Sequence, residues 1–547
     1  MNENEKRKKN LIGLLNKRVF LPPAIVLVIA VGVGAIFPEQ FGNGCNKVLA
    51  FITEQFGWLF TLGAIILFVF CIWAGFSKYG RIKLGGPKAK PTLSMFQWFA
   101  VSFTSSLAIG VSYWCVAEPM NYFMNPPEFL HIAGETAEAA KVAMRYSYLH
   151  WAVVPFGIYA SAGIAIAFMF YNAKRPFKVS SALYPVLGEK TEGIIGNGVD
   201  SLAIFAMVGG IATSLGLGTM QIAGGLNHLF GMDTGIWTLT VIVIVMTVFY
   251  TIIATTGVHK GIKHVGTFNM YLYFALLLFV FFFGPTRTII ENIITATGDF
   301  VQNFIPLATN LDPIEQTGFH ESWTTFYWAW WLAFAPLTGL FMVRLAKGRT
   351  VRQFVAVNLI APSVFIVIWF GTWGTTGMMS DLTGGTNIGE RIMELGNEYA
   401  IFELLSHYPM AFVTGILFLI LVALNFNTQA EAVAYTLSSM TTVGFDKDGN
   451  EKEPPKTVTV FWGVGMGLLT LILLYTGGEQ SFQALQTSVV VCGLPIILLQ
   501  IWMAYAYWKG MRKVKELDKV GSFDEIIIDD SQSDKISADC TKDNESS

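Results

Sequence analysis

Several stretches of this chain run for a dozen residues or more without one charged side chain: Leu59 to Trp73, Ile236 to Ile253, Leu272 to Phe283, Phe412 to Leu424 and Val489 to Ala506. A helix rises about 1.5 Å per residue and the hydrocarbon layer of a bilayer is roughly 30 Å thick, so such runs read as cores of membrane-crossing helices. Backbone polar groups must then be satisfied within the protein, as a helix does, and the expected fold is all-α and polytopic. A length of 547 residues would otherwise suggest three or four soluble domains, but 53% hydrophobic against 14% charged residues excludes them.

Apolar windows set against breaker clusters predict twelve spans, near 20–38, 57–76, 96–117, 150–171, 199–230, 235–257, 268–285, 324–345, 353–375, 402–424, 457–476 and 482–508. The polar, basic start MNENEKRKKN is followed by no cleavage pattern, so the first span is expected to be retained. Basic residues gather on alternate loops: Lys6 to Lys9, Lys78 to Lys90, Lys174 to Lys178, Lys260 and Lys263, Lys347 to Arg352, Lys447 to Lys456, and Lys509 to Lys515. The positive-inside rule then places both termini in the cytoplasm, in a multi-pass protein of the cytoplasmic (inner) cell membrane. Residues 286–307 alternate apolar and polar positions at helical spacing and read as an amphipathic helix on the outer surface. The acidic, Ser-rich tail from Asp518 reads as a disordered cytoplasmic extension.

The net charge of −2 says nothing about nucleic acid, but no basic patch interleaved with aromatics appears outside the membrane loops, so no nucleic-acid partner is expected. Five cysteines without paired spacing predict neither a disulfide framework nor a zinc site. No Walker A loop, HExxH or GxSxG occurs, so enzymatic chemistry has no residues to carry it; no cofactor and no metal are expected.

Aromatic density singles out the eighth span. Trp323, Phe326, Tyr327, Trp328, Trp330, Trp331 and Phe334 put seven rings into twelve positions, with Pro336 following. Trp and Tyr also form interfacial belts, but a belt needs no such density, whereas a trimethylammonium group binds several ring faces, each contributing about 0.5–2 kcal/mol. A second aromatic set, Trp151, Phe156 and Tyr159, opens the fourth span. In the third, the small residues Thr104, Ser105, Ser106, Ala108 and Gly110 allow close helix packing or an opened backbone, and Tyr113 and Trp114 follow within a turn. Ionisable residues near the membrane are few. Glu118 and Arg344 read as structural groups near span ends, Glu431 lies just past the tenth apolar core, and no acid falls clearly within the aromatic zone. His150 reads as a hydrogen-bonded structural histidine.

The segment FYWAWWLAFAPLTGLFMVRLAKGRTVRQFV (326–355) resembles the signature helix and loop of the betaine/choline/carnitine transporter family. The likeness extends to SYWCVAEP (112–119), the HW-aromatic-Tyr pattern at 150–159, TSLGLGTMQI (213–222) and LLYTGGEQSFQALQ (473–486). The resemblance implies secondary transport of a quaternary-ammonium compound by alternating access, and two inverted five-helix repeats. It implies the organisation 1–19 cytoplasmic segment, 20–95 peripheral helices, 96–285 first repeat, 286–323 surface helix and loop, 324–508 second repeat and 509–547 tail, assembled as a homotrimer. It also implies a substrate site of Trp151, Phe156, Tyr159, Trp330, Trp331 and Phe334, with Ser106, Ala108, Gly110, Tyr113 and Trp114 on the pathway. Phe156 and Phe334 depart from the larger rings usual at their positions.

Sodium-coupled members show a Gly-x-Gly-x-Gly stretch where this chain has Ser106, Ala108 and Gly110. Their oxygen-bearing side chains correspond here to Met207, Ile211, Thr428 and Gln429, a degenerate set for a hard cation that prefers oxygen donors. This favours a sodium-independent exchanger, a type that AVAYTLSS (432–439) also resembles. Asn269 stands where exchangers can place a basic side chain, which speaks the other way, so sodium-coupled glycine betaine uptake stays as the alternative. A membrane enzyme acting on a choline-like compound would need a nucleophile or metal cluster that the sequence does not show.

Overall fold

In a computed structural model of the chain, residues 14–256, 258–442, 453–477 and 481–528 are described; the side chains of 105, 107, 108, 258–266, 477, 481 and 482 are not. Among the described residues the chain is predominantly helical, with β-pairing confined to the isolated bridges Leu15 with Thr442 and Lys83 with Thr350. The main helices are α1 (Lys17–Ile36), α2 (Pro38–Phe76), α3 (Met95–Met124), α4 (Ala137–Trp151), α5 (Val153–Tyr171), α6 (Ile194–Phe230), α7 (Ile236–Thr256), α8 (Val258–Phe283), α9 (Thr286–Ala308), α10 (Thr325–Leu345), α11 (Ala361–Leu382), α12 (Ala411–Met440), α13 (Lys456–Gly477) and α14 (Ser481–Met511). Ten stretches among the described residues are long and apolar enough to cross a membrane, twelve if each of two bent helix pairs is one span. The polytopic all-α expectation therefore holds.

Helix ends follow local chemistry. Ser94 caps α3 reciprocally with Gln97: Ser94 Oγ accepts from the Gln97 N–H at 3.2 Å, and Gln97 Oε1 accepts from the Ser94 N–H at 3.4 Å. Gly231, at φ +69°, stops α6 in the left-handed conformation that glycine adopts without strain. The axes of Met95–Thr104 and Ile109–Met124 within α3 differ by 71°, across the small-residue stretch. A 111° turn separates Thr267–Phe283 from α9, which buries Ile289, Ala296 and Phe300 while Arg287 and Glu291 stay exposed.

Burial sorts the helices into an inner and an outer set. Helices α5, α6 and α14 pack around α10, which is buried on every face up to Leu340. Helices α1 and α7 lie at the rim and expose Ile25, Val28, Ile29, Val241, Ile244, Val248 and Ile252, an apolar face suited to lipid.

Two expectations are corrected. The tenth span, predicted at 402–424, is α12, Ala411–Met440; the apolar residues at Ala400–Ser406 form a separate short helix. The predicted window stopped at Leu424 because Asn425, Asn427, Thr428, Gln429 and Glu431 lower its hydropathy, yet the helix runs on through them, buried by its neighbours. Residues 518–528 are ordered, whereas the tail was expected to be disordered from Asp518. Asp518 Oδ2 accepts from the Phe523 N–H at 2.7 Å, Ser522 Oγ donates to the Lys83 carbonyl at 2.7 Å, and Phe523 stacks on Tyr79. The apolar Phe523 and Ile526 supply the packing that a charge-rich composition hides. The rest of the tail, the first thirteen residues and Cys540 lie outside the described residues.

Candidate functional site

A helix break positions the first ring. Pro155 has no N–H, and its ring crowds the carbonyl four residues earlier, that of Trp151. The helix yields at Ala152 (φ −95°, ψ −115°), between α4 and α5. At the end of α4, the Trp151 indole meets Trp330 edge-on (centroids 6.1 Å apart, planes at 88°) and Trp331 at 5.6 Å and 70°. Tyr159 of α5 approaches Trp331 to 4.8 Å, and Phe156 packs against Trp331 at 5.7 Å. Phe326 stacks on Trp330, with centroids 5.6 Å apart.

Of these rings, Trp151, Tyr159, Trp330 and Trp331 line one chamber together with Ser106, Gly110, Ser214, Phe334 and Gln429. Its side chains are 1–6% exposed, so it lies inside the helix bundle. Glycine is required at 110 by close approach: a Cβ there would lie 2.4 Å from Cη2 of Trp151 and 3.3 Å from Cη2 of Trp330. Gly210 of α6 likewise gives room to the Phe334 ring, which a Cβ would meet at 2.9 Å.

The indole N–H groups are tied down from behind. Glu118, wholly buried, accepts from Trp151 Nε1 at 2.5 Å and from Tyr327 Oη at 2.6 Å, and lies 2.8 Å from His150 Nδ1. His150 Nε2 reaches Thr324 Oγ1 at 3.1 Å, so this histidine is hydrogen-bonded at both nitrogens, as expected of a structural one. Trp331 Nε1 donates to the His150 carbonyl at 3.2 Å, and Trp330 Nε1 to Ser214 Oγ at 3.3 Å. Buried indoles need such partners, and here the partners fix ring orientation. The expectation that no acid lies within the aromatic zone is corrected: Glu118 sits directly behind it. Sequence spacing gave no sign of this, because Glu118, Trp151 and Tyr327 come from three different helices.

Of the remaining candidates, Ser106 and Gly110 face the chamber, and the side chain of Ala108 lies outside the described residues. Tyr113 and Trp114 do not line the chamber. Tyr113 Oη is 3.5 Å from Glu398 Oε2, and Trp114 packs against Trp323 and Tyr327. Burial raises the carboxyl pKa of Glu398, which stands between spans at Asn397–Tyr399. Met207 and Ile211 are buried apolar side chains, and the Thr428 hydroxyl donates to the Leu424 carbonyl at 2.7 Å. Asn269 Nδ2 donates to Asn425 Oδ1 at 2.5 Å, and Asn425 Nδ2 to Tyr273 Oη at 2.7 Å. Among the described residues no group of three or more His, Cys, Asp or Glu side chains is placed to hold a metal ion. Ser214 and Gln429 are chamber residues that the sequence reading did not assign to the substrate site.

A ring-lined chamber at the heart of a many-helix membrane protein is the architecture of a carrier. The description "BCCT, betaine/carnitine/choline family transporter" matches residues 18–516, and the chain belongs to that family of membrane transporters. It is 35% identical over 514 residues to a "Probable glycine betaine transporter" of Desulfitobacterium hafniense (strain Y51), covering 94% of this chain and 99% of that one. It is 35% identical to the "Glycine betaine transporter OpuD" of Bacillus subtilis (strain 168), covering 92% and 96%. It is also 35% identical to the "Ectoine/hydroxyectoine transporter" of Virgibacillus pantothenticus, covering 91% and 97%.

Proposed function

We propose that the chamber carries a small quaternary-ammonium solute, such as glycine betaine, carnitine or choline. Trp151, Tyr159, Trp330, Trp331 and Phe334 face its cationic head, and Phe156 braces Trp331. The observation that carries this reading is that rings from α4, α5 and α10 surround one chamber whose lining holds no charged side chain. A permanent cation needs no proton acceptor. Several desolvated ring faces at about 0.5–2 kcal/mol each hold it, yet weakly enough for release. Two relatives named for glycine betaine support the substrate class.

In this reading the repeats at 96–285 and 324–508 rock against each other around a fixed site and open it to one side and then the other. The alternation of basic loops supports cytoplasmic termini, and the family resemblance supports assembly of three copies. Transport proceeds as exchange without sodium: Met207 and Ile211 bring no side-chain oxygen, and the Thr428 hydroxyl is committed to its own helix. Counterflow of labelled betaine, carnitine and choline into proteoliposomes, with and without sodium, tests both parts. Sodium-independent counterflow of at least one of them is expected. A strict sodium requirement would overturn the exchange mechanism, and no counterflow of any of the three would overturn the substrate class.

A further inference from the structure

One chamber residue has chemistry that the aromatic cage does not use. Gln429, from the middle of α12, is 5% exposed and lines the chamber, and its Oε1 is buried without a hydrogen-bond partner among the described residues. Leaving such an acceptor unmet is a cost that a leucine of similar size would not carry. Two hydroxyls that line the same chamber complete its polar wall. Ser214 Oγ, also in the lining, accepts from Trp330 Nε1 and retains its own O–H as a donor. Ser106 Oγ donates to the Ser102 carbonyl at 2.7 Å and offers only lone pairs. The wall therefore presents an amide that can donate or accept, one hydroxyl donor and one acceptor, with no fixed charge.

We infer that Gln429 is a specificity-determining residue that binds the end of the substrate opposite the ammonium group. This rests on the reading of the rings as the ammonium site. A carboxylate takes the amide N–H₂ and the Ser214 hydroxyl; a hydroxyl donates to the amide oxygen. A neutral amide accepts both a zwitterion and a cation because it repels neither, so tail chemistry is selected by hydrogen bonding alone. A sodium ligand is the competing role for this oxygen; against it, Met207 and Ile211 bring no side-chain oxygen and the Thr428 hydroxyl is committed to its own helix.

Gln429→Glu and Gln429→Leu in the full-length protein test this, with glycine betaine and choline affinities read by tryptophan fluorescence at pH 7 and pH 9. Gln429→Glu keeps the shape and adds a negative charge that repels a carboxylate. The betaine-to-choline affinity ratio should fall at least about 30-fold at the pH where the new side chain is ionised. Gln429→Leu should weaken betaine about 10- to 100-fold and choline about 2- to 10-fold, since hydrogen bonds to charged groups are the stronger. An affinity ratio in Gln429→Glu that stays within about 3-fold of the parent at both pH values would overturn the inference. So would a change in sodium dependence at constant ratio. Trp331→Leu separates the two claims: if it leaves both affinities intact, the ammonium site itself is misplaced. If it abolishes both while Gln429 variants bind like the parent, only the Gln429 assignment fails.

Discussion

Helices α7 and α10 are equal in length, yet they live in different surroundings. In α7, 28% of the apolar window is buried within the protein; in His320–Leu345, which contains α10, 94% is. The outer helix is a run of Ile, Val and Thr facing outward, whereas the inner one is crowded with Trp, Tyr and Phe. In a soluble protein the greasier helix would be the buried one. Here lipid is as apolar as the side chains, so burial is not driven by hydrophobicity; packing, ring contacts and hydrogen bonds decide which helix goes inside. The inner helix is thus free to hold groups that lipid would not tolerate, and a binding site can be built on it.

The largest expected effect tests the inner helix. Trp331→Leu removes the ring that Trp151, Phe156 and Tyr159 all touch, and should cut uptake more than about 50-fold, the loss of several cation–π contacts, at near-normal membrane abundance. Gly110→Ala comes next: its methyl group meets the Trp151 ring, and uptake should fall about 10-fold or more, as overpacking costs roughly 1–3 kcal/mol. Glu118→Ala strips Trp151, Tyr327 and His150 of a shared partner and should lower stability by about 1–3 kcal/mol for each buried donor left unmet, read as a drop in thermal unfolding temperature. A full-stability Glu118→Ala protein would show that the rings hold their places by packing alone. At the other end, Ile244→Ala on the outward face of α7 should leave stability within about 0.5 kcal/mol and uptake within about twofold of the parent. A large loss there would erase the contrast between the two helices.

The sequence made the aromatic half of the chamber visible, because Trp323 to Phe334 and Trp151 to Tyr159 are dense local clusters and density survives projection onto one dimension. It hid the parts that depend on meetings between helices. Glu118 looked like a span-end carboxylate, since its partners are remote in the chain. Gln429 fell beyond the predicted tenth span, since polar residues end a hydropathy window even where neighbouring helices bury them. The same effect concealed the docking of residues 518–528: two or three apolar side chains, Phe523 foremost, anchor a segment whose composition reads as solvated.

What holds the cargo, on this account, is the charge on a nitrogen that ring faces attract, and a neutral look-alike isolates that charge. Binding of glycine betaine and of 3,3-dimethylbutyrate, in which carbon replaces the ammonium nitrogen, should be compared by tryptophan fluorescence of the purified protein. The uncharged-head analogue should bind at least about 10-fold more weakly, the worth of one or two desolvated cation–π contacts. Equal affinity for the two would mean that the rings provide only an apolar hole of the right size.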